Sequence, residues 1–323
     1  MKSPWDRYLA CLALCFAMTL ANATASAAPP EPRELLQKSK RILFLGDSIT
    51  YSGQYIAYFD AWLYSQKLDQ HPEIIDAGLP SETVSGLSEE GHAGGKFPRP
   101  DLAERLDRLL PLAKPDLVIA CYGINCGIYL PFDEGRLEKY KQGMSHLKSA
   151  VEKAGATFLV VTPPFYDDKR APKNFSYNEV LDRYSEWLIS QRKNGWHVID
   201  LHGPMTHEVQ KRRQLDDKFT FQPDGVHPNE AGQWFVARQL IRAFSDEKSA
   251  NYATPAEMLT ALGVPAGVLP LVQQRVNLLR DAYVFAAGHK RPGVTQGMPV
   301  PDAEKKAHEL SHQILTLISE KKN

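Results

Sequence analysis

Cysteine is scarce in this chain of 323 residues. There are four, and two of them, Cys11 and Cys15, fall inside an apolar N-terminal run. No cluster of histidine and cysteine has the spacing of a zinc site, so a zinc-built fold is excluded. An excess of one charge is missing too: Lys plus Arg and Asp plus Glu number 38 each. That balance creates no overall field to draw nucleic acid or an anionic membrane. The basic stretch QKRRQ at 210–214 reads as a solvated helix face. The N-terminal run YLACLALCFAMTLA is short for a membrane span. No G-x-G-x-x-G or Walker loop follows the first strand candidate, which removes the main signatures of nucleotide binding. Internal repeats and low-complexity segments are absent as well.

What is present is an ordinary globular composition, 43% hydrophobic and 24% charged. The start has the order of a secretory signal peptide. Lys2 and Arg7 lead into the apolar run, and small residues follow, with Ala25-Ser26-Ala27 as the cut. The reading is an exported chain whose mature part begins near Ala28. Export permits a disulfide between the two remaining cysteines, Cys121 and Cys126. Their spacing does not establish one, and two buried thiols fit equally well.

Beyond a polar leader (28–39), short β-rich runs alternate with longer helical patterns. The strand candidates are RILFLG (41–46), EIIDAG (73–78), DLVIACYG (116–123), TFLVVTPP (157–164) and HVIDLH (197–202). Several are apolar at consecutive positions, as strands covered on both faces require. Helix candidates lie at 53–68, 101–112, 134–154 and 176–194, and a further one begins behind Asn229 as N-cap. The alternation predicts an α/β fold: a five-stranded parallel sheet with helices on both faces. The tail, 249–323, carries three more helix candidates at 254–262, 266–284 and 302–320. Its apolar stripe must pack on something, first of all on the preceding domain and otherwise on a second copy.

Parallel sheets place their sites beyond the C-terminal strand ends, where Ser48, Gly78, Asn125 and Pro163 fall. Serine becomes a nucleophile when a base takes its proton. Of ten histidines, His227 in PDGVHPNEAG is the best placed, because Asp224 three residues earlier can reach its Nδ1 and fix the tautomer. Pro228 keeps His227 extended, outside the following helix. The Ser48 N–H, the Gly78 N–H and the Asn125 amide are candidate donors to an oxyanion. Each residue alone also has a plain explanation as a turn, a cap or a surface group.

In sequence order, G-D-S ends strand one, Gly ends strand two, G-x-N ends strand three, and D-x-x-H precedes the last helix of the domain. That set resembles the SGNH hydrolases, also called the GDSL esterase/lipase family, over about residues 40 to 246. The resemblance implies a flavodoxin-like three-layer α/β/α sandwich with strand order 2-1-3-4-5 and a C-terminal helical extension. It implies Ser48, Asp224 and His227 as the catalytic residues, Ser48, Gly78 and Asn125 as the oxyanion hole, and an acyl-serine mechanism without metal or organic cofactor. The division that follows is signal peptide 1–27, leader 28–39, hydrolase domain 40–248 and extension 249–323. Two positions depart from the family pattern: Asp76 stands where Asn is frequent, and Cys126 follows Asn125 where Asp is frequent. Cys126 also raises a rival, a thiol nucleophile.

The substrate is less specified. The rim candidate PSETVSGLSEEGHAGGKFPRP (80–100) is polar, which favours a short acyl group on a polar carrier such as an O-acetylated sugar. Tyr51, Tyr55, Tyr122, Tyr129 and Phe165 are candidates for stacking on sugars, or for the core, and His92 and Lys96 are candidates for touching substrate, or for solvated loop residues. The expected partner is a small-molecule or glycan ester, with no nucleic acid and no stable membrane insertion. Alternatives are a lipase or lysophospholipase-type acylhydrolase, a secreted glycan-binding module with a vestigial site, and a flavodoxin-like nucleotide-binding protein.

Overall fold

The computed structural model describes residues 32–321; the expected signal peptide lies outside them. In chain order the elements are α1 (Pro32–Lys38), β1 (Arg41–Gly46), a single helical turn α2 (Ser48–Tyr51), α3 (Gln54–Leu63), β2 (Glu73–Asp76), α4 (Ala103–Ala113), β3 (Leu117–Cys121), α5 (Glu134–Lys153), β4 (Thr157–Val161) and α6 (Asn178–Ser190). Then come β5 (His197–Ile199), α7 (His202–Arg213), α8 (Glu230–Ala243), α9 (Glu247–Ala250), α10 (Pro255–Ala261), α11 (Val268–Ala287) and α12 (Val300–Glu320). The five strands form one sheet in the order β2-β1-β3-β4-β5, and every pairing is parallel.

Consecutive apolar residues in each strand serve opposite faces. Ile42 and Phe44 of β1, Leu117 and Ile119 of β3, and Leu159 and Val161 of β4 pack toward α3, α7 and α8. The intervening Leu43, Leu45, Val118, Ala120, Phe158 and Val160 pack toward α4, α5 and α6. Both faces are thereby removed from water, and polar chemistry is left to the strand tips. The chain leaves β1 for β2 on one side and then crosses to β3 on the other. The crevice at the C-terminal ends of β1 and β3 is therefore the switch point where such sheets bind ligands.

Strands β2, β3, β4 and β5 end earlier than the sequence reading has them, because their last residues turn out of the ladder at the tips. Of helix α7 that reading has only the solvated face at 210–214, not the element from His202. Only His202, Met205 and Val209 are buried in it, too sparse a stripe to register as helical periodicity. A short helix also interrupts the expected leader, anchored by the buried Leu35 and Leu36.

The tail has no core of its own. Val268, Val272 and Val276 of α11 join the core on the α3 face, while Leu279, Ala282 and Tyr283 join the opposite one. Helix α11 thus runs along the β2 edge and covers a sheet margin that would otherwise offer unpaired backbone groups. One buried ion pair fixes it: Arg275 Nη2 meets Asp60 Oδ2 of α3 at 2.5 Å, and Arg275 Nη1 donates to Tyr64 and Ser311, each at 2.6 Å. Burial pushes the Asp60 carboxyl up, but Arg275 and the His71 ring outweigh it and hold the group below the usual carboxylate range.

Asp76, the last residue of β2, is a second buried charge. Its Oδ1 accepts the Gly78 N–H at 2.8 Å, and its Oδ2 has no partner among the described residues. Burial pushes this carboxyl up to about 7, against the Gly78 bond and the nearby Arg280 and Arg105 charges.

Two predictions follow from these charges. Arg275→Met leaves Asp60 buried with reduced compensation and lowers the unfolding free energy in urea by about 3–5 kcal/mol; a loss under about 1 kcal/mol would mean that the pair does not dock the extension. For Asp76, the folded value of about 7 stands above the unfolded value of about 3.9. Its contribution to stability is present below the unfolded value and is lost as pH rises toward the folded one. Asp76→Asn keeps an acceptor for Gly78 and removes the titration. Its advantage in melting temperature over the parent grows between about pH 4 and pH 7 and is level above that. An advantage of constant size across that window would refute the buried charge.

Candidate active site

Gly46 ends β1 because nothing larger fits: a Cβ there would lie 2.1 Å from Thr50 Oγ1 and 2.9 Å from the Cys121 carbonyl oxygen. Asp47 follows as N-cap of α2, its carboxylate accepting the Ile49 N–H at 3.0 Å. It is almost wholly buried, and burial pushes it up to about 6 despite that bond and the His227 and Arg99 charges. Ser48 opens the turn, so its N–H has no acceptor within the helix.

His227 arrives from the far end of the domain. Its Nε2 lies 2.8 Å from Ser48 Oγ, and its Nδ1 lies 2.6 Å from Asp224 Oδ2. The other carboxylate oxygen of Asp224 accepts the His227 and Val226 backbone N–H groups at 2.7 and 2.9 Å. Burial raises the Asp224 carboxyl, but the bonds from His227 and Val226 prevail and hold it below its ordinary value. Gly225 between them has φ +89°, and a Cβ there would collide with that of Ala171 at 2.4 Å. The loop after β4 therefore backs the turn, helped by the Asp167 N–H on the Gly225 carbonyl at 2.9 Å. On the other side Asn229 caps α8 through the Gly232 N–H at 3.0 Å. His227 is thus held between a glycine turn and a capped helix.

The other two candidates flank the serine. Asn125, nearly buried at 4% exposure, directs Nδ2 to the Glu82 carbonyl at 3.3 Å and receives the Tyr129 hydroxyl on Oδ1 at 3.0 Å. One Nδ2 hydrogen remains beyond the bond to Glu82. Gly78 is required by proximity, since a Cβ there would stand 2.4 Å from the Tyr51 nitrogen. Its N–H is already engaged by Asp76, so any donation to a substrate is shared with that carboxylate.

Two residues that hold these groups, Glu82 and Arg105, have no role in the sequence reading. Glu82 is buried against Arg105 at 2.6 Å and receives the Tyr122 hydroxyl at 2.6 Å. Arg105 also donates to the Ala77 carbonyl at 2.7 Å. This network ties the tip of β2 to the tip of β3. A signal was available: Arg105 sits on the apolar stripe of α4 with Leu106 and Leu109, where an unpaired cation would be costly. Tyr129 and its neighbour Ile128 both have positive φ, 55° and 48°, a strained arrangement typical of functional loops.

The aromatic candidates divide. Tyr55, Tyr122 and Phe165 are core residues. Tyr51 has Arg280 over its ring at 4.2 Å. Tyr129 stacks on Tyr177 and lies under Arg99 and Lys173; what it offers the site is a hydroxyl. On the rim, His92 pairs with Glu89 at 3.2 Å, and Glu89 is clamped by Arg99 through two bonds of 2.6 Å. Lys96 is exposed. Cys121 and Cys126 are free and buried, and burial pushes the Cys126 thiol up to about 12. A buried thiol held in its neutral form is a poor nucleophile, which answers the rival raised by the sequence. The site itself is open: the His227 and Asp224 side chains are 51% and 56% exposed.

The chain matches the GDSL-like Lipase/Acylhydrolase family over residues 44–235, more than half its length. No curated protein matches it. Among solved structures it is similar to Axe2, an acetylxylan esterase from Geobacillus stearothermophilus, with 21% identity and a TM-score of 0.50, over 66% of this chain and 97% of that one. It is also similar to BT4096, described as a gut microbial diltiazem-metabolizing enzyme, with 23% identity and a TM-score of 0.51 over 67% of this chain. The chain spans about half the length of BT4096, 48%. At these identities the likeness is one of fold. The matched span includes Ser48, Gly78, Asn125, Asp224 and His227, and on the ground of that match the chain belongs to the GDSL-like Lipase/Acylhydrolase family and is a carboxylic ester hydrolase.

Proposed function

We propose that this protein is an exported serine esterase that removes a short acyl group, such as acetyl, from a carbohydrate or another polar carrier. The observation behind the mechanism is the unbroken line Ser48 Oγ, His227 Nε2, His227 Nδ1, Asp224 Oδ2, with steps of 2.8 and 2.6 Å. Ser48 Oγ attacks the ester carbonyl while His227 takes its proton, and Asp224 stabilises the imidazolium. The oxyanion accepts hydrogen bonds from the Ser48 N–H, the Asn125 amide and, in competition with Asp76, the Gly78 N–H. Collapse breaks the bond to the alcohol, which leaves with the proton from His227. Water then attacks the acyl-serine with His227 again as base, releasing the acid and restoring Ser48.

Two features support the substrate class. The half-exposed histidine and carboxylate mark an open site, which admits a bulky carrier. The rim is polar and cross-braced by Arg99 and Glu89. Export rests on the N-terminal order of charge, apolar run and small residues. The division at residue 248 is part of the same reading, although the extension shares both cores. One observation favours a longer acyl chain instead: Leu130 and Phe132, beyond Tyr129, are exposed at 41% and 39%.

Ser48→Ala is expected to lower turnover of p-nitrophenyl acetate by at least about 10⁴-fold, with its thermal midpoint unchanged, and to abolish covalent labelling by a fluorophosphonate. Normal turnover by this variant would sink the assignment. Activity also falls on acidification, because a protonated His227 cannot take the Ser48 proton, while Asp224, held below the ordinary carboxylate range, stays ionised. A rate constant through the acid range argues against His227 as base. Acetylated oligosaccharides compared with long-chain p-nitrophenyl esters separate the substrate readings: faster turnover of the long chains would replace the short-acyl one.

A further inference from the structure

The turn that presents Ser48 is only four residues long. One helical turn does not sustain itself, since a first turn fixes several dihedrals for one hydrogen bond. Something outside must hold it. Its N-terminal end has the Asp47 cap. Its C-terminal end meets the extension. Arg280 of α11 donates from Nη1 to the Tyr51 carbonyl at 2.7 Å, and its guanidinium lies 4.2 Å from the centroid of the Tyr51 ring.

Arg280 is itself fixed. Nη1 also reaches Asn277 Oδ1 at 3.0 Å, and Nε reaches Asp281 Oδ1 at 2.9 Å. Its side chain is 11% exposed. The same helix presses on the residue after the turn: a Cβ on Gly53 would lie 3.2 Å from Val276 Cγ1 and 3.3 Å from Asn277 Oδ1. On the opposite side, Gly78 rests against the Tyr51 nitrogen. The Arg280 charge also opposes the upward push of burial on Asp76, whose carboxylate holds the Gly78 N–H. One guanidinium therefore bears on both the nucleophile turn and the neighbouring arch. Residue 280 lies outside the span 44–235 matched by the family, so this clamp belongs to the extension.

We propose that Arg280 is a positioning residue for the esterase, and that the C-terminal extension acts in catalysis by holding the Ser48–Tyr51 turn through the Tyr51 carbonyl and ring. The inference rests on Ser48 as nucleophile. Without the clamp the turn moves, and Ser48 Oγ leaves its line with His227 and the amide donors. A displacement on the order of 1 Å costs up to about 100-fold in rate.

The test compares wild type, Arg280→Met, Arg280→Lys and Ser48→Ala in the full chain. Fluorophosphonate labelling rates and p-nitrophenyl acetate kinetics are read well below each thermal midpoint. Arg280→Met is expected to lose about 10- to 100-fold in both labelling rate and kcat with KM within about twofold, and Arg280→Lys to recover part of the loss. A folded Arg280→Met that labels at the wild-type rate overturns the proposal, as does a rate loss that merely tracks the unfolded fraction. If Arg280→Met has no cooperative transition, Arg280→Lys decides: reduced labelling in the folded protein supports the clamp, and wild-type labelling overturns it. Labelling of Ser48→Ala strikes the nucleophile assignment itself and removes the ground for this inference; failure of the clamp alone leaves Ser48→Ala unlabelled.

Discussion

The hydrogen bond between Ser48 Oγ and His227 Nε2 joins residues 179 apart in the chain, and nearly everything else in the fold bears on keeping its two ends in place. The serine is fixed by the exit of β1, and the histidine by the turn before α8. Neither element is in contact with the other along the sequence. Their separation is set by how α3 and α8 pack on one face of the sheet, where Phe44, Phe59 and Phe235 share a core. A shift of that packing by less than the length of a bond would open the contact, since a hydrogen bond weakens steeply beyond its normal range.

Burying both faces of the sheet has a consequence at its C-terminal edge. The polar groups displaced from the faces gather at the strand tips, and several end up poorly hydrated there. Asp47 and Asp76 are held up to about 6 and about 7, and Glu82 is likewise raised by burial, though Arg105 and Tyr122 oppose it. Such groups work against stability when ionised. In return the strand tips are cross-linked by directional bonds: Arg105 to Ala77, Tyr122 to Glu82, Asn125 to the Glu82 backbone. These bonds hold the tips of β2 and β3 in fixed relation to each other.

The extension enlarges this arrangement. It covers the β2 edge, completes both cores, and carries a buried arginine, Arg275, and a part-buried one, Arg280, that reach back to the first third of the chain. Arg275 secures the helix to α3, and Arg280 secures α2 to the helix. Both lie on or beside the apolar stripe of α11, a position where a charged residue signals a partner elsewhere but does not name it.

Sequence alone determined the parallel α/β architecture, because consecutive apolar residues in short strands and three-to-four spacing in helices are local patterns. It also determined which groups stand at the strand tips: Ser48, Gly78 and Asn125 each lie just past an apolar run, and Asp224 and His227 are three residues apart on one turn. Helix α7 was legible only at its basic end, because its buried stripe is sparse. Only the tertiary structure decided that His227 reaches Ser48, that the Gly78 N–H is shared with Asp76, that Cys126 is sealed away, and that Tyr51 is held from the tail. These depend on distances between segments far apart in the chain. Such distances come from the packing of whole helices on the sheet, and no local run of residues encodes them.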